Sequence, residues 1–274
     1  VDPATSVDLA FEKGGKVSAV YVSVGDKVSA GQILASLNNA DIIAQINSAE
    51  ANLKSQQAKL EELKKGTRLE EIRVYEVKFQ NAKIALDDAK QNLLYKIQDA
   101  YTKADDAVRN KIDYFMSNPR TSNPQLNLAI SDTDLKQNIE SQRIIMESLL
   151  NSWNYNDSSR ARNNLNQIKS FLNQISSAVN SLSVSSSLTQ TTIDTYKSNV
   201  STARTNIDTA ISNLTSAEEK LKTAESSLLL AQNELVLKQS GSTSEEIKVQ
   251  EALIEKAEAD IRVYKAELNK TIIY

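Results

Sequence analysis

Four pairs of adjacent carboxylates, Glu61-Glu62, Asp87-Asp88, Asp105-Asp106 and Glu218-Glu219, are the groups in this chain best suited to acid/base chemistry or to holding a cation. Each pair falls in a stretch with helical periodicity, where neighbours diverge by about 100° and cannot converge on one proton or one ion. They read as the solvated exterior of helices. The 274 residues include no His and no Cys, which removes the usual metal ligands, the near-neutral acid/base and the thiol nucleophile together. The expectation is a protein that is not an enzyme, with no catalytic residue, no cofactor and no metal.

Composition narrows the class further. The net charge is −3, from 32 basic and 35 acidic residues that are well mixed, so no basic stripe exists to neutralise phosphates and no nucleic-acid partner is expected. Six Gly, three Pro and 5% aromatics suit long helices better than a compact enzyme core. No run of about 18 apolar residues exists to span a membrane. The absence of Cys is compatible with an extracytoplasmic protein. The abrupt start at Val1-Asp2-Pro3 and the β-branched, aromatic stop at Thr271-Ile272-Ile273-Tyr274 are those expected of a fragment of a longer protein.

What positions these residues is a heptad. Ile193, Tyr196, Val200, Ala203, Ile207, Ala210, Leu214, Ala217, Leu221, Ala224, Leu228, Ala231 and Leu235 alternate steps of three and four, the period of a left-handed coiled-coil seam. After Tyr196 every second seam position is alanine, which lets a facing helix approach closely. Ile72, Tyr75, Phe79, Ala82, Leu86, Ala89 and Leu93 repeat the large/small alternation upstream, before a shift to Ile97 and Ala100.

"KGTRLEEI" at 65 to 72 and "SGSTSEEI" at 240 to 247 share a Gly, a neighbouring hydroxyl and Glu-Glu-Ile at one offset. Each Gly suits the end of one helix, and each polar residue ahead of the Glu pair suits the cap of the next. One helix is expected from about Asp41 to Gly66, with Ile46, Ala49, Leu53, Leu60 and Leu63 on one side. Its counterpart runs from Gly241 to about Leu268, with Ile247, Ile254, Ala257, Ile261 and Leu268. The offsets pair the two arms antiparallel with their breaks side by side. At about 1.5 Å per residue, such an arm would exceed roughly 100 Å.

Between the arms, Leu135, Ile139, Met146, Leu149 and Trp153 mark one amphipathic helix, and Leu165, Ile168, Leu172, Ile175, Val179 and Leu182 mark another. Asp132 and Asp157 or Ser158 suit their N-caps. A two-proline loop lies at 118 to 125 and a polar turn at 183 to 187. A distal four-helix bundle is favoured over a straight hairpin with its tip near Asn156. Phe115, Met116, Trp153 and Tyr155, near the bundle ends, are candidates for a partner's docking patch, with core packing as the alternative role.

The segment "GGKVSAVYVSVGDKVSAGQILASL" reads as three strands around turns at Gly25-Asp26 and Gly31-Gln32. Val20, Val22 and Val24 share a face, and Val28, Ile33, Leu34 and Leu37 can pack on it. Gly15, Val17, Val20, Val22, Gly25, Asp26, Val28, Gly31, Leu34 and Leu37 match the pattern of a biotinyl/lipoyl-type half-domain, which the segment resembles. The family's carrier Lys position is held by Asp41, so the resemblance implies a structural module without a swinging arm.

A lipoyl-like half followed by a long helical hairpin resembles the membrane fusion proteins, the HlyD-like periplasmic adaptors of efflux and secretion systems, and within them the subgroup serving ABC-type exporters. Mapped on this chain, the resemblance implies a mostly α fold with a small β half-barrel at its base. Residues 1–40 would be the first lipoyl half, and 41–115 the outgoing arm with its break near Gly66. Residues 116–186 would be distal inserted helices, 187–268 the returning arm with its break near Gly241, and 269–274 the start of the second lipoyl half. It implies an extracytoplasmic spacer and conduit, anchored to the membrane by an N-terminal segment outside this chain. Its implied partners are an inner-membrane ABC transporter, further copies forming a ring or tube, and an outer-envelope protein at the hairpin tip. The family's Arg-x-x-x-Leu tip motif is missing: none of Arg109, Arg120, Arg143, Arg160, Arg162 and Arg204 has Leu four residues on. The alternative is an extracytoplasmic sensory or adhesive helical ectodomain.

Overall fold

The computed structural model describes residues 7–274, which are mostly helical with two small sheets. The sequence motif at Val1-Asp2-Pro3 lies outside the described residues. In chain order the elements are β1 (Val17–Val20), β2 (Ala35–Leu37), α1 (Ala40–Lys65), α2 (Leu69–Asp105), a π-helical turn (Asp106–Ile112), a 3-10 turn (Asp113–Phe115), β3 (Met116–Ser117) and β4 (Gln125–Leu126). Then follow α3 (Thr133–Asn151), α4 (Ser158–Asn180), α5 (Gln190–Ser240), α6 (Ser244–Asn269) and β5 (Ile272–Ile273). The chain divides into two compact units, one of residues up to Val74 with Leu235–Tyr274, the other Tyr75–Glu234.

In the first unit, α1 and α6 lie antiparallel, bridged by Lys265–Glu50 (3.3 Å) and Lys64–Glu251 (3.2 Å). Ile46, Ala257 and Ile261 are buried between them, and Ala49, Leu53, Leu60, Leu63, Ile247, Ile254 and Leu268 are half-buried. α1 stops at Gly66, whose φ of +65° belongs to the region glycine enters without a Cβ penalty. Its N–H donates to the carbonyls of Glu62 and Leu63. Gly241, at φ +64°, lies against it: a Cβ built on Gly66 would meet Gly241 Cα at 3.8 Å. Past that break α6 opens with a capping box in which Glu246 N–H donates to Thr243 Oγ1 (3.2 Å) and Thr243 N–H to Glu246 Oε2 (2.9 Å). The cap is thus Thr243, one residue before the Ser that adjoins the Glu pair.

β1, β2 and β5 form an antiparallel sheet in that order, β2 pairing with both neighbours. This corrects the three-strand reading of the opening segment. The turns form at Gly25 (φ +101°) and Gly31 (φ +80°), but no strand forms between them. The expected valine face is only partly covered: Val20, Val24, Val28 and Ile33 are exposed, Val22 and Leu34 are half-buried, and Leu37 is buried. A three-stranded sheet with strands of two to four residues has too little area to bury both faces.

In the second unit, the end of α2, the two turns after it, α3, α4 and the first part of α5 contribute to one continuous apolar core. The seam residues Ile193, Val200, Ala203, Ile207, Ala210, Leu214 and Ala217 are buried, and Leu221, Ala224 and Leu228 are half-buried further along α5. Asp132 and Asp157 cap α3 and α4, accepting from Leu135 N–H (2.8 Å) and Arg160 N–H (2.9 Å). The two-proline loop is closed by β3 and β4, which pair Met116 with Leu126.

Because Gly66 and Gly241 hold positive φ with only ordinary contact distance to spare, Gly66→Ala should destabilise the first unit by about 1–2 kcal/mol through backbone strain. Gly66→Asn should cost as much, since with ψ at −155° the backbone lies outside the left-handed helical region that Asn tolerates. Urea denaturation followed by circular dichroism measures the difference; equal stability of all three proteins would refute it.

Candidate functional site

The sequence spacing that sets this site is a run of fours. Ala100, Ala104, Val108, Ile112 and Met116 are all buried. In an α-helix four residues advance about 400°, so a stripe spaced by four winds off its face by about 40° per step. The π turn at Asp106–Ile112 takes more residues per turn and keeps the stripe on the core. It also turns Arg109 and Asp113 toward α3.

On α3 the apolar positions Ile139 and Met146 are seven apart, and the seam position between them is Arg143, which is 0% exposed. Arg143 Nε donates to Asp113 Oδ1 at 2.7 Å, and its Nη2 to Asp113 Oδ2 and to Glu147 Oε2 at 3.0 Å each. Glu147 accepts in turn from Arg109, which also donates to Asp105 Oδ1 (2.8 Å) and Asn151 Oδ1 (2.7 Å). Arg120 reaches Asp113 from the loop at 3.3 Å. The result is a chain of alternating charge, Asp105, Arg109, Glu147, Arg143, Asp113 and Arg120, that joins the π turn to α3. Burial acts to raise the Glu147 pKa, but the hydrogen bonds from Arg109 and Arg143 outweigh it and hold the carboxyl below the usual carboxylate range. The hydrogen bond from Arg109 to Glu147 raises the guanidinium above its ordinary value. Both charges are therefore fixed at neutral pH, and the network holds geometry rather than moving protons.

The residues picked out by sequence are dispersed. Asp41 lies exposed in the first turn of α1, not on a hairpin tip, with Asn39 as the N-cap residue. Phe115 and Met116 are buried in the core of the second unit, as is Trp153 at 7% exposure, which leaves Tyr155, 45% exposed, as the accessible member of the proposed patch. The paired acids serve separate partners: Glu62 is bonded to Lys59, Glu218 to Arg162, Asp105 to Arg109 and Asp106 to Asn110. Among the described residues no group of three or more acids forms a metal site. Residue type alone does not single out the Arg143 network, yet its signal is visible as a seven-residue gap in an apolar seam. The same gap between Leu53 and Leu60, and between Ile247 and Ile254, is filled by Gln56 and Gln250, whose side chains bond at 2.8 Å.

Comparison with known proteins gives a partial likeness. Over 67 residues, 24% of this chain and 20% of the relative, it is 37% identical to the UPF0194 membrane protein YE2891 of Yersinia enterocolitica. The UPF0194 membrane protein YPTB1212 of Yersinia pseudotuberculosis and the UPF0194 membrane protein of Yersinia pestis are similar to the same extent. The chain thus spans about a fifth of the length of the curated relatives it matches. No family model and no solved structure matches it. Among the described residues no helix is long and apolar enough to cross a membrane.

Removing Arg143 takes the fully buried partner from Asp113 and Glu147 and leaves them only Arg120 and Arg109, so Arg143→Ala should cost about 3 kcal/mol. The paired replacement Arg143→Met with Asp113→Leu should recover part of that loss, as read by thermal denaturation. The depressed Glu147 pKa means the unfolded chain binds its proton first as pH falls. Its stabilisation is present above the usual carboxylate range near pH 4.5 and is lost as pH drops through the lower folded value. A Glu147→Gln variant should show a shallower loss of melting temperature between about pH 5 and 3.

Proposed function

We propose that this chain is the extracytoplasmic part of an adaptor subunit of an ABC-type efflux or secretion system, acting as a spacer and an oligomeric conduit. The observation that carries the reading is the return of the chain to its own base. β2 leads directly into α1, and α6 leads directly into β5, which pairs with that same β2. Between them the two helices run antiparallel with Gly66 against Gly241. A small sheet from which a helical hairpin leaves and to which it comes back is the arrangement implied by the lipoyl-like, HlyD-type resemblance. The likeness to proteins named as membrane proteins agrees with a place at the envelope. On this reading the three-stranded sheet is half of a lipoyl-like barrel, and the core shared by the end of α2, α3, α4 and α5 is a distal four-helix bundle. No step of it requires an active site.

Exposed apolar residues supply a surface for self-association. In the second unit Val77 and Ile84 on α2 and Leu229 and Leu230 on α5 are all more than half exposed. Such side chains on otherwise polar helices are the elements of a lateral seam between copies.

Because the chain has no Cys, one introduced at Leu230 is the sole thiol of this chain. The full-length protein carrying Leu230→Cys, purified in detergent from its own host, is expected to co-purify with an ABC transporter and to form disulfide-linked multimers on mild oxidation. A monomer that retains no transporter, or a gene that continues into a transmembrane signalling domain, would overturn the adaptor reading in favour of a sensory ectodomain.

A further inference from the structure

Between α4 and α5 lies a cleft of about 240 Å³. Its lining includes five polar side chains, Ser176 and Asn180 from α4 and Lys197, Ser201 and Arg204 from α5. Lys197, Ser201 and Arg204 follow one another at steps of four and three, so one helix face presents all three. Val179 and Val200, both buried, complete the lining from below. Among the described residues none of the five polar side chains makes a hydrogen bond or an ion pair.

The acids that flank the cleft along α5 are engaged elsewhere. Asp208, one turn past Arg204, is bonded to Lys169 of α4 at 2.7 Å, and Asp194, one turn before Lys197, accepts from Gln190 at 2.8 Å. From Ser158 to Asn180, α4 carries Arg160, Arg162 and Lys169 and neither Asp nor Glu. A solvated helix face ordinarily mixes both signs, but here two positive charges meet at one cleft with no counterion on the protein.

Two cations, two hydroxyls and an amide, with no carboxylate among them, are complementary to an oxyanion. The number of donors selects its kind. A carboxylate offers two oxygens, whereas a phosphoryl group offers three, its double charge matches Lys197 and Arg204 together, and a guanidinium can fork onto two of its oxygens. Size excludes a large ligand: about 240 Å³ is less than the roughly 300–1,000 Å³ of sites that enclose a drug-sized molecule. We propose that the α4–α5 cleft binds a phosphoryl dianion, as free phosphate or as the phosphate of a monoester. Lys197 and Arg204 hold its charge, and Ser176, Asn180 and Ser201 bond its oxygens. The site does not depend on the exporter reading.

Isothermal titration calorimetry of the purified protein with inorganic phosphate and with glycerol 3-phosphate, beside flotation with phosphatidylcholine vesicles containing phosphatidic acid, separates the sources. A saturable isotherm with a soluble anion, with a dissociation constant of about millimolar size, supports a site for free phosphate or a small ester. Flotation with the phosphatidic acid vesicles and no response to either soluble anion assigns the phosphoryl group to a lipid headgroup. Lys197→Gln and Arg204→Gln should each weaken binding about tenfold, the loss of one charge-assisted hydrogen bond, and Ser201→Ala should weaken it a few-fold. All three side chains are exposed, so the variants should keep the helical circular dichroism of the parent. Lys222→Gln removes the same charge from an exposed position of α5 outside the cleft and should leave the affinity unchanged. No saturable binding of any of the three ligands, full affinity in Arg204→Gln, or equal weakening by Lys222→Gln would overturn the proposal.

Discussion

Two helices approach only as closely as the side chains between their axes allow, and the seam positions of α2 and α5 alternate large residues with alanine. Large residues alternate with Ala82 and Ala89 on one and with Ala203, Ala210, Ala217, Ala224 and Ala231 on the other, so each large side chain can fill the space a small one leaves. An interface only one residue wide on each helix buries little area per turn, so register must be enforced by something more selective than apolar contact.

Polar residues set into the seams supply that selectivity. Gln250 donates to both the side chain and the backbone carbonyl of Gln56, a pairing that a shift by one heptad would break and leave half-buried amides unsatisfied. The Gly66 and Gly241 breaks meet at the same pairing, so each helix is interrupted where its neighbour is too. In the second unit Arg143 does the same work at higher stakes: a charge removed from water is tolerable only where Asp113 and Glu147 stand, which fixes α3 against the π turn. The π turn itself follows from apolar residues spaced by four, a period that α geometry cannot keep on one face. Charge and packing therefore select the same backbone conformation.

The small sheet of the first unit obeys a different limit. Its sheet holds three short strands, and the side chains meant for a second layer, Val20, Val24 and Val28, face solvent. Strand pairing and the burial of Leu37 order it: β2 is paired on both edges, and Leu37 N–H donates to the carbonyl of Thr271 at 2.9 Å.

The main helices, the caps at Asp132 and Asp157, the glycine breaks and the apolar seam residues were legible in the sequence, because periodicity, capping and positive φ are local consequences of residue type. So was the absence of His and Cys chemistry. The cap of α6, by contrast, falls one residue earlier than its Glu pair suggests, at Thr243. What only the tertiary structure decided is where the unlike residues go. Arg143 reads as one more surface charge until α3 meets the π turn, and Trp153 reads as a docking candidate until the core closes over it and leaves Tyr155 outside. The valines of the opening segment alternate as a strand should, yet ladder bonding runs no further than Tyr21 N–H to the Leu34 carbonyl (2.8 Å), and residues 22–33 form no strand. Local chemistry fixes which helix a residue joins. Burial, pairing and exposure belong to contacts between elements far apart in the chain, and those exist only once the chain has folded.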